Sequence, residues 1–250
     1  MPLAWTPGEP NHREVLMPKN LTVVVLAAGG GTRMKSKTMK VLHSIGGRSM
    51  IGHVLTAVKG AEPTRVIAVI GTQREAVGPH ILGHYPQAVL AVQESLDGTG
   101  AAVKVALEAV GEPVTGTVLV VTGDTPLLRG DSLRAFAEEH DAAERAVSVL
   151  TGKVANPFGY GRIVRNHEGD VEAIVEEKDA NADQREINEI NSGILAFDAE
   201  FLNSALGQLR NDNANGEFYL TDTVGLARAA GLTVGAHLLD DVKQTEGAND

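Results

Sequence analysis

Three things are scarce or missing in this 250-residue sequence: cysteine, aromatic side chains and long apolar runs. Without cysteine the chain has no disulfide framework, no cysteine-ligated zinc or iron–sulfur site and no thiol nucleophile. Aromatic residues make up only 4%, so valine, leucine, isoleucine and alanine must build the interior. No run of about 18 apolar residues is present, which excludes a membrane-spanning helix.

Positive charge is scarce as well. The chain has 22 Lys+Arg against 32 Asp+Glu, a formal net charge of −10. This balance argues against a broad surface for binding the phosphate backbone of nucleic acids. We therefore expect a soluble, cytoplasmic protein that contacts neither nucleic acid nor membrane.

The hydrophobic content of 43% is enough for a large core, and the length suits one large domain or two small ones. Residues 1–20 carry four prolines and little periodicity, so we predict a disordered tail without a signal peptide there. Order is predicted for residues 21–250.

Strand and helix patterns alternate regularly through the first half of this region. Residues 22–26 form an apolar run without alternation, which is typical of a strand buried on both faces of a parallel sheet. Ser49 is placed to cap a following helix that Gly60 closes. The cycle repeats with predicted strands at 66–70, 88–92 and 118–121 and helices near 73–82, 99–110 and 130–140. This rhythm predicts βαβ units and a doubly wound, mostly parallel, Rossmann-like α/β sheet.

The second half has a different rhythm, with strand patterns at 147–150, 162–164, 171–175 and 190–197. Asp198 is placed to cap a helix, and a last helix at about 220–230 precedes a strand at 234–238. We expect these strands to extend the same sheet and to form a small β-rich subdomain over its carboxyl edge. The predicted halves are about 21–145 and about 146–250. Hexapeptide repeats are absent, so no left-handed β-helix is expected.

A glycine-rich turn with basic residues follows the first predicted strand. Gly29, Gly30 and Gly31 let the backbone turn sharply and present N–H groups to an anion. Arg33, Lys35, Lys37 and Lys40 then bring four cations within eight residues, which suggests a polyphosphate pocket. A dinucleotide-binding fingerprint and a P-loop would both need glycine at position 34, where this chain has methionine, so both are disfavoured. Taken alone, the turn could also be an ordinary glycine turn with solvated basic residues.

Many ordered blocks accompany this turn, and together they carry a resemblance. The blocks are Leu26-Ala27-Ala28-Gly29-Gly30-Gly31-Thr32-Arg33-Met34, Lys40-Val41-Leu42-His43, Gly98-Thr99-Gly100, Gly123-Asp124-Thr125-Pro126-Leu127-Leu128, Phe158-Gly159-Tyr160-Gly161-Arg162, Ile174-Val175-Glu176-Glu177-Lys178-Asp179-Ala180, Glu189-Ile190-Asn191-Ser192-Gly193, Tyr219-Leu220-Thr221-Asp222 and Glu246-Gly247-Ala248-Asn249. The chain resembles the sugar-nucleotidyltransferase superfamily from about residue 21 to residue 250. Within it, the match is close to the uridyltransferase domain of bifunctional N-acetylglucosamine-1-phosphate uridyltransferases/glucosamine-1-phosphate acetyltransferases.

The resemblance implies a reaction and its participants. N-acetylglucosamine 1-phosphate would attack the α-phosphorus of UTP, giving UDP-N-acetylglucosamine and pyrophosphate with the help of Mg²⁺. The catalytic cations implied are Arg33 and Lys40. The nucleotide contacts implied are Leu26, Ala27, Ala28, Gly29, Gly31, Thr32, Thr122 and Gly123.

The resemblance also assigns the base, the sugar and the metal. By this resemblance, residues about 21–145 are the nucleotide-binding half and residues about 146–250 the sugar-binding half. Gln93, Gly98 and Thr99 match uracil-reading positions; Gln93 could otherwise be an ordinary loop residue, and Thr99 is also expected to cap the helix that it begins. The sugar contacts implied are Gly161, Glu176, Asn191 and Tyr219. From local sequence alone, Glu176 would be a solvated side chain in a charged run.

Asp124 is the candidate metal ligand that the residues themselves support. It follows a buried strand at the carboxyl edge of the predicted sheet, where open α/β sheets bind ligands, and a carboxylate suits Mg²⁺. A turn or capping aspartate before Pro126 is the local alternative. The resemblance pairs Asp124 with Asn249 as the second protein ligand, and both would also contact substrate.

The chain departs from the family pattern in two places. Met39 precedes Lys40 where the family has proline, so we expect a looser segment and a less preorganised lysine. The family's β-helix, which trimerises it, is not in this sequence, so we expect a monomer. The alternatives are another sugar-1-phosphate nucleotidyltransferase and a weakly active nucleotide-sugar-binding fragment. His80 and His84 are four residues apart, but Pro79 and Gly83 make a shared helical face doubtful, so we interpret them as structural.

Overall fold

A computed structural model describes residues 20–29 and 38–247 of the chain. Its strands are β1 (Thr22–Ala27), β2 (Ser44–Ile45), β3 (Arg48–Ser49), β4 (Arg65–Ile70), β5 (Val89–Val92), β6 (Thr117–Thr122), β7 (Val147–Lys153), β8 (Arg162–Arg165), β9 (Val171–Val175), β10 (Glu189–Asp198) and β11 (Val234–Leu238). Its α-helices are α1 (Met50–Gly60), α2 (Arg74–His84), α3 (Thr99–Glu108), α4 (Gly130–Ala142), α5 (Ala182–Arg185), α6 (Ala199–Leu206) and α7 (Thr223–Ala229). Short 3-10 helices span Lys40–Leu42, Leu220–Asp222 and Val242–Thr245.

Seven of these strands form the path of one mixed sheet in the order β5-β4-β1-β6-β10-β7-β11, whereas β2 and β3 form a separate antiparallel pair. The pairs β5–β4, β4–β1, β1–β6 and β7–β11 are parallel, and β10 runs antiparallel to both neighbours, β6 and β7. The antiparallel hairpin β8–β9 joins this sheet where Arg162 pairs with Ile190 of β10. The predicted doubly wound, mostly parallel α/β fold is confirmed.

Both faces of the sheet are buried, as the unbroken apolar run of β1 predicts. Val23 and Val25 point into a core cluster that also contains residues of α1, α2 and α4. Val24 points into a second cluster with residues of α3, α6 and α7. All three valines have no exposed surface, and each such buried side chain contributes roughly 1.5–3 kcal/mol relative to exposure.

The two predicted helix caps are present. The Ser49 hydroxyl accepts a hydrogen bond of 3.1 Å from the Gly52 N–H at the start of α1. The Asp198 carboxylate accepts one of 2.8 Å from the Phe201 N–H at the start of α6. Each cap satisfies an N–H that has no partner within its helix, which typically stabilises the fold by about 1 kcal/mol.

Some elements differ from the sequence prediction. The last helix, predicted over 220–230, begins as the 3-10 turn Leu220–Asp222 and becomes α-helical at Thr223. Helix α5 was not predicted because it has only four residues and none of them is buried, so it leaves no apolar periodicity.

The two predicted halves share one sheet. Strand β10 comes from the second half and lies between β6 and β7, so the strands of the second half continue the sheet of the first. The carboxyl ends of β1, β4, β5 and β6 lie at one edge because these strands are parallel. No helix in residues 20–29 and 38–247 is long and apolar enough to cross a membrane. These residues also contain no β-helix.

Candidate active site

The carboxyl ends of β1 and β6 lie side by side and form the base of the site. Leu26 of β1 is in register with Thr122 of β6. The next residue, Gly123, donates its N–H to the Leu26 carbonyl at 2.9 Å. A Cβ at Gly123 would lie 2.9 Å from that carbonyl oxygen, so only glycine permits this approach. The tight turn carries Asp124 over the edge of the sheet.

Asp124 forms an ion pair with Lys40, whose ammonium group donates to the Asp124 carboxylate. Lys40 begins the 3-10 helix Lys40–Leu42, and its side chain is 11% exposed, against 28% for Asp124. The sequence placed these residues in one site from positions 84 apart, and the structure brings them into contact. A positive charge is thereby fixed at the carboxyl edge of the sheet.

The donor set around Asp124 suits one particular class of metal ion. Within the described ranges, no three His, Cys, Asp or Glu side chains gather in a group that could hold a metal. Magnesium needs no such cage, since it is commonly held by one or two carboxylates together with water and substrate phosphates. The partly exposed carboxylate of Asp124 therefore fits a magnesium-phosphate complex better than a structural metal.

Met39, the departure from the family pattern, is held by packing. Its φ is −56°, close to the value that a proline ring would impose, and its side chain is buried in the core. The Met39 carbonyl also accepts the Leu42 N–H at 2.9 Å. Residues 30–37 of the preceding segment lie outside the described residues, so the expected looseness of that segment stays a prediction.

The candidate uracil loop follows β5. Gln93 is buried, its N–H donates to the Ile70 carbonyl at 2.9 Å, and its side-chain amide donates to the Gly98 carbonyl at 3.4 Å. Gly98 has φ +104°, and a Cβ there would lie 2.6 Å from the Phe218 carbonyl oxygen. Gly98 is thus required both for its backbone conformation and for the close approach of residue 218.

Thr99 does not cap the helix that it begins. The N-cap position of α3 belongs to Gly98, and no side chain bonds to the helix end there. The Thr99 hydroxyl instead accepts the Leu220 N–H at 3.1 Å. The expected Thr99 cap was therefore wrong, because the hydroxyl accepts its hydrogen bond from a distant segment of the chain. This hydrogen bond joins the first predicted half to the second.

One cavity of about 260 Å³ extends from the sheet edge to the second half. Six predicted site residues line it: Leu26, Thr99, Thr122, Gly161, Glu176 and Asn191. The structure adds seven lining residues that were not predicted: Gly159, Tyr160, Ser192, Gly193, Leu195, Leu220 and Thr221. The cavity thus brings residues of both predicted halves to one space.

Asn191 lies at an irregularity of β10 that shapes the cavity wall. The register with β7 shifts between Asn191 and Leu195, and Gly193 in this bulge has φ +81°. The Asn191 N–H donates to the Gly161 carbonyl at 2.9 Å, while its side-chain oxygen accepts the Gly193 N–H at 2.9 Å. Bulges of this kind commonly redirect a side chain next to an active site.

Glu176 is a half-buried carboxyl group in the cavity wall. Burial raises its pKa above the usual glutamate value, and the Thr221 hydroxyl, which donates to Oε1 at 3.2 Å, partly offsets this effect. Both carboxylate oxygens would lie 3.3 Å from a Cβ at Gly161. A partly desolvated carboxylate facing a cavity is a strong acceptor for ligand hydroxyl groups. The interpretation as a solvated charge is therefore wrong for Glu176.

Tyr219 is buried but does not line the cavity. Its hydroxyl donates to Asp179 at 3.3 Å and accepts from the Asn215 side chain at 2.7 Å. Burial and the nearby Asp179 raise its pKa to about 12. Tyr219 therefore stays protonated at neutral pH, and in this structure it fixes the segment beside the cavity. Its predicted contact with the sugar remains a prediction.

The remaining predicted residues have different outcomes. Ala27, Ala28 and Gly29 lie at and just beyond the carboxyl end of β1. Gly31, Thr32, Arg33 and Asn249 lie outside the described residues, as does nearly all of the predicted 1–20 tail. Their assignments remain predictions.

The histidine pair differs from the sequence expectation. Helix α2 continues through Pro79, so His80 and His84 share a face, with ring centroids 4.9 Å apart. His80 Nε2 lies 2.6 Å from the Ser49 hydroxyl at the start of α1. These contacts join two helices, which agrees with a structural role.

An open α/β sheet binds ligands at its carboxyl edge, and the Lys40–Asp124 ion pair at that edge is typical of the class of α/β domains that bind nucleotides. Residues 23–187 match the MobA-like NTP transferase domain, and the chain belongs to that family. It is 52% identical over 232 residues to the bifunctional protein GlmU of Corynebacterium efficiens and 53% identical over 229 residues to that of Streptomyces coelicolor. Each alignment covers 91% of this chain and 48% of the relative, so the chain spans about half the length of these relatives.

A solved structure agrees on the fold. A UDP-glucose pyrophosphorylase in complex with UDP-glucose superposes with a TM-score of 0.72 at 16% identity, over 87% of this chain and 90% of that one. At this identity the likeness concerns the fold alone. The resemblance drawn from the sequence blocks is confirmed by the GlmU relatives.

Proposed function

We propose that this chain transfers the uridylyl group of UTP to N-acetylglucosamine 1-phosphate, giving UDP-N-acetylglucosamine and pyrophosphate. The observation that carries the proposal is a cavity at the carboxyl edge of the sheet that residues of both halves line. Leu26, Thr99 and Thr122 line one side of it, and Glu176 and Asn191 line the other. The likeness to GlmU relatives over 91% of the chain supports the choice of this reaction.

The reaction requires charge neutralisation and alignment rather than a covalent nucleophile. A phosphate oxygen of the sugar phosphate forms a bond to the α-phosphorus of UTP as the bond to the pyrophosphate oxygen breaks. Since both reactants are anions, fixed positive charge must oppose their repulsion and the charge that develops in the transition state. Lys40 is held at the sheet edge for this role, and we assign Arg33 the same role.

A divalent metal ion is general among nucleotidyltransferases of this kind, and we propose Mg²⁺. Asp124 and Asn249 would hold it. When bound, the ion neutralises the phosphate oxygens of the nucleotide. The Lys40–Asp124 ion pair keeps the carboxylate at the edge of the sheet.

We assign the base to Gln93, which does not itself line the cavity, and the sugar to the cavity wall that faces Leu26, Thr99 and Thr122. The buried amide of Gln93 can both donate to and accept from a pyrimidine edge. In that cavity wall, the Glu176 carboxylate accepts from sugar hydroxyl groups, and the Asn191 amide suits hydroxyl and N-acetyl groups. Backbone groups of residues 26–29, with Gly31, Thr32 and Gly123, complete the nucleotide contacts in this proposal.

An assay of pyrophosphate release tests the proposal. The protein is incubated with Mg²⁺, each of the four common nucleoside triphosphates in turn, and each of several sugar 1-phosphates. We expect release to be fastest with UTP and N-acetylglucosamine 1-phosphate. A clear preference for another nucleotide or sugar would replace this substrate pair, and binding of UDP-N-acetylglucosamine without turnover would identify a binding domain instead.

A further inference from the structure

One wall of the cavity is a three-residue segment, Gly159, Tyr160 and Gly161, called here the 159–161 loop. Its backbone is fastened at every residue. The Gly159 N–H donates to the Glu177 carboxylate at 3.0 Å, and the Tyr160 N–H donates to the Pro157 carbonyl at 3.2 Å. The Tyr160 carbonyl accepts from the Arg162 guanidinium, and the Gly161 carbonyl accepts the Asn191 N–H at 2.9 Å.

Arg162 provides the charged part of this fastening. Its side chain is only 2% exposed, although it stands in a hairpin at the side of the sheet. One guanidinium nitrogen donates to Tyr160, and another lies 2.8 Å from the Glu177 carboxylate. Nε is buried without a hydrogen-bond partner among the described residues. Burying a charge and leaving a donor unpaired both cost free energy, so packing alone gives no reason for an arginine here.

Glu177 joins Arg162 and the loop. Its carboxylate accepts the Gly159 N–H and pairs with Arg162. These two interactions hold the pKa of Glu177 below the usual glutamate value, so the carboxylate is ionised at neutral pH. The preceding residue, Glu176, faces the cavity. Of these two adjacent glutamates, Glu177 therefore binds the loop at Gly159, and Glu176 lies against it at Gly161.

The position of the loop determines the shape of the sugar side. A Cβ at Gly161 would lie 3.3 Å from both Glu176 oxygens, so the Gly161 backbone packs against that carboxylate. The Gly161 carbonyl is also bonded to Asn191. An outward movement of the loop would thus displace the surroundings of both proposed sugar-binding side chains.

We propose that Arg162 and Glu177 are positioning residues that hold the 159–161 loop against Glu176 and Asn191, and so set the affinity for the sugar phosphate. The inference rests on the proposed function, because it assigns the sugar phosphate to this wall. Neither residue is among those lining the cavity, so both act through the loop.

The test compares conservative substitutions at the ion pairs that two arginines of β8, Arg162 and Arg165, form. Arg162→Lys keeps the charge but removes the planar fork that reaches Tyr160 and Glu177 together. Glu177→Gln keeps the shape but removes the charge. Arg165→Lys is the matched control. Arg165 lies in the same strand as Arg162, pairs with Glu189 of β10 at 2.6 and 2.9 Å, and makes no contact with the 159–161 loop.

Steady-state kinetics give the first measurement. We expect Arg162→Lys and Glu177→Gln each to raise KM for the sugar 1-phosphate about tenfold and to change KM for UTP by less than about twofold. Arg165→Lys should leave both constants within about twofold of the wild type, even if it lowers the melting temperature. An unchanged sugar-phosphate KM, or a parallel rise of both constants in step with lost stability, would overturn the proposal.

Amide hydrogen exchange gives the second measurement and does not depend on turnover. Residues 159–161 should exchange faster in Arg162→Lys and Glu177→Gln than in the wild type or Arg165→Lys. If the wild type releases no pyrophosphate with any sugar 1-phosphate, the proposed function fails, and the exchange result alone decides whether Arg162 and Glu177 hold the 159–161 loop. Equal exchange in all four proteins would show that they do not.

Discussion

At the scale of single residues, two neighbouring glutamates show how local surroundings give identical side chains different roles. Burial raises the pKa of Glu176, whereas the Gly159 N–H and Arg162 lower that of Glu177. The Glu176 carboxylate loses part of its hydration in the cavity wall, which disfavours its charged form. Such a cost is typical of residues that are retained for binding rather than for stability.

Replacing Glu176 by glutamine should weaken sugar-phosphate binding and stabilise the fold at neutral pH. The raised pKa means that ionisation of Glu176 above the unfolded-state value disfavours the folded protein, and glutamine removes this cost. Losing a charged acceptor should raise KM for the sugar phosphate by about tenfold or more. Thermal unfolding at pH 7 and at pH 4 checks the first effect, since the gain should shrink as the wild-type carboxyl becomes protonated. A variant that is destabilised at pH 7 with unchanged KM would contradict this account.

Replacing Asp124 by alanine should abolish metal-dependent turnover while leaving the protein folded. The carboxylate is the only acidic ligand assigned to the metal, and its removal also breaks the ion pair with Lys40. Asp131→Ala is the control, because it removes the same charge from an exposed pair with Arg129. Pyrophosphate release at increasing Mg²⁺ separates the two. An active Asp124→Ala enzyme would refute the metal assignment.

At the scale of elements, the sequence predicts most of what local patterns encode. The apolar run of β1 and the caps Ser49 and Asp198 need only their neighbours to be recognised, and each is found as expected. Asp124 was placed correctly because it follows a buried strand. These features can be recognised from the local sequence alone.

Features that depend on contacts between distant segments could not be predicted in this way. Thr99 looks like a helix cap in sequence, but its hydroxyl bonds to residue 220. Thr221 and Glu177 carry no sequence pattern of their own, and their roles follow from contacts with Glu176 and with the 159–161 loop. The resemblance located the blocks that contain them but did not assign them a function.

The packing of α4 against β7 should make stability depend on pH. His140 of α4 is buried, with Nδ1 2.9 Å from the Ser148 hydroxyl of β7, and burial lowers its pKa to about 4. The unfolded state binds a proton below about pH 6.5, whereas the folded state does not until about pH 4. His140 therefore leaves the free energy of unfolding unchanged above about pH 6.5 and lowers it progressively as the pH falls toward 4.

Urea unfolding measures this effect. The wild-type free energy of unfolding should fall by about 2 kcal/mol between pH 7 and pH 5 because of His140. His140→Asn, which can keep a hydrogen bond to Ser148 but cannot titrate in this range, should lack this part of the decrease. An identical pH dependence in both proteins would show that His140 does not titrate as described.

At the scale of the whole molecule, one continuous sheet brings residues of both predicted halves around one cavity. Strand β10 enters the sheet between β6 and β7, which brings Asn191 close to the carboxyl ends of β1 and β6. The hydrogen bonds from Phe218 to Asp97 and from Gly100 to Phe218, at 2.7 and 2.8 Å, connect the two halves beside it. We expect nucleotide and sugar phosphate to meet there without a large rearrangement.

A crystal structure with UDP-N-acetylglucosamine and Mg²⁺ tests this claim most directly. The account predicts the sugar ring between Glu176 and Asn191, the diphosphate directed toward Lys40 and Asp124, and the uracil near Gln93. A nucleotide sugar bound away from the carboxyl edge of the sheet, or bound there with the sugar on the Gln93 side, would contradict it.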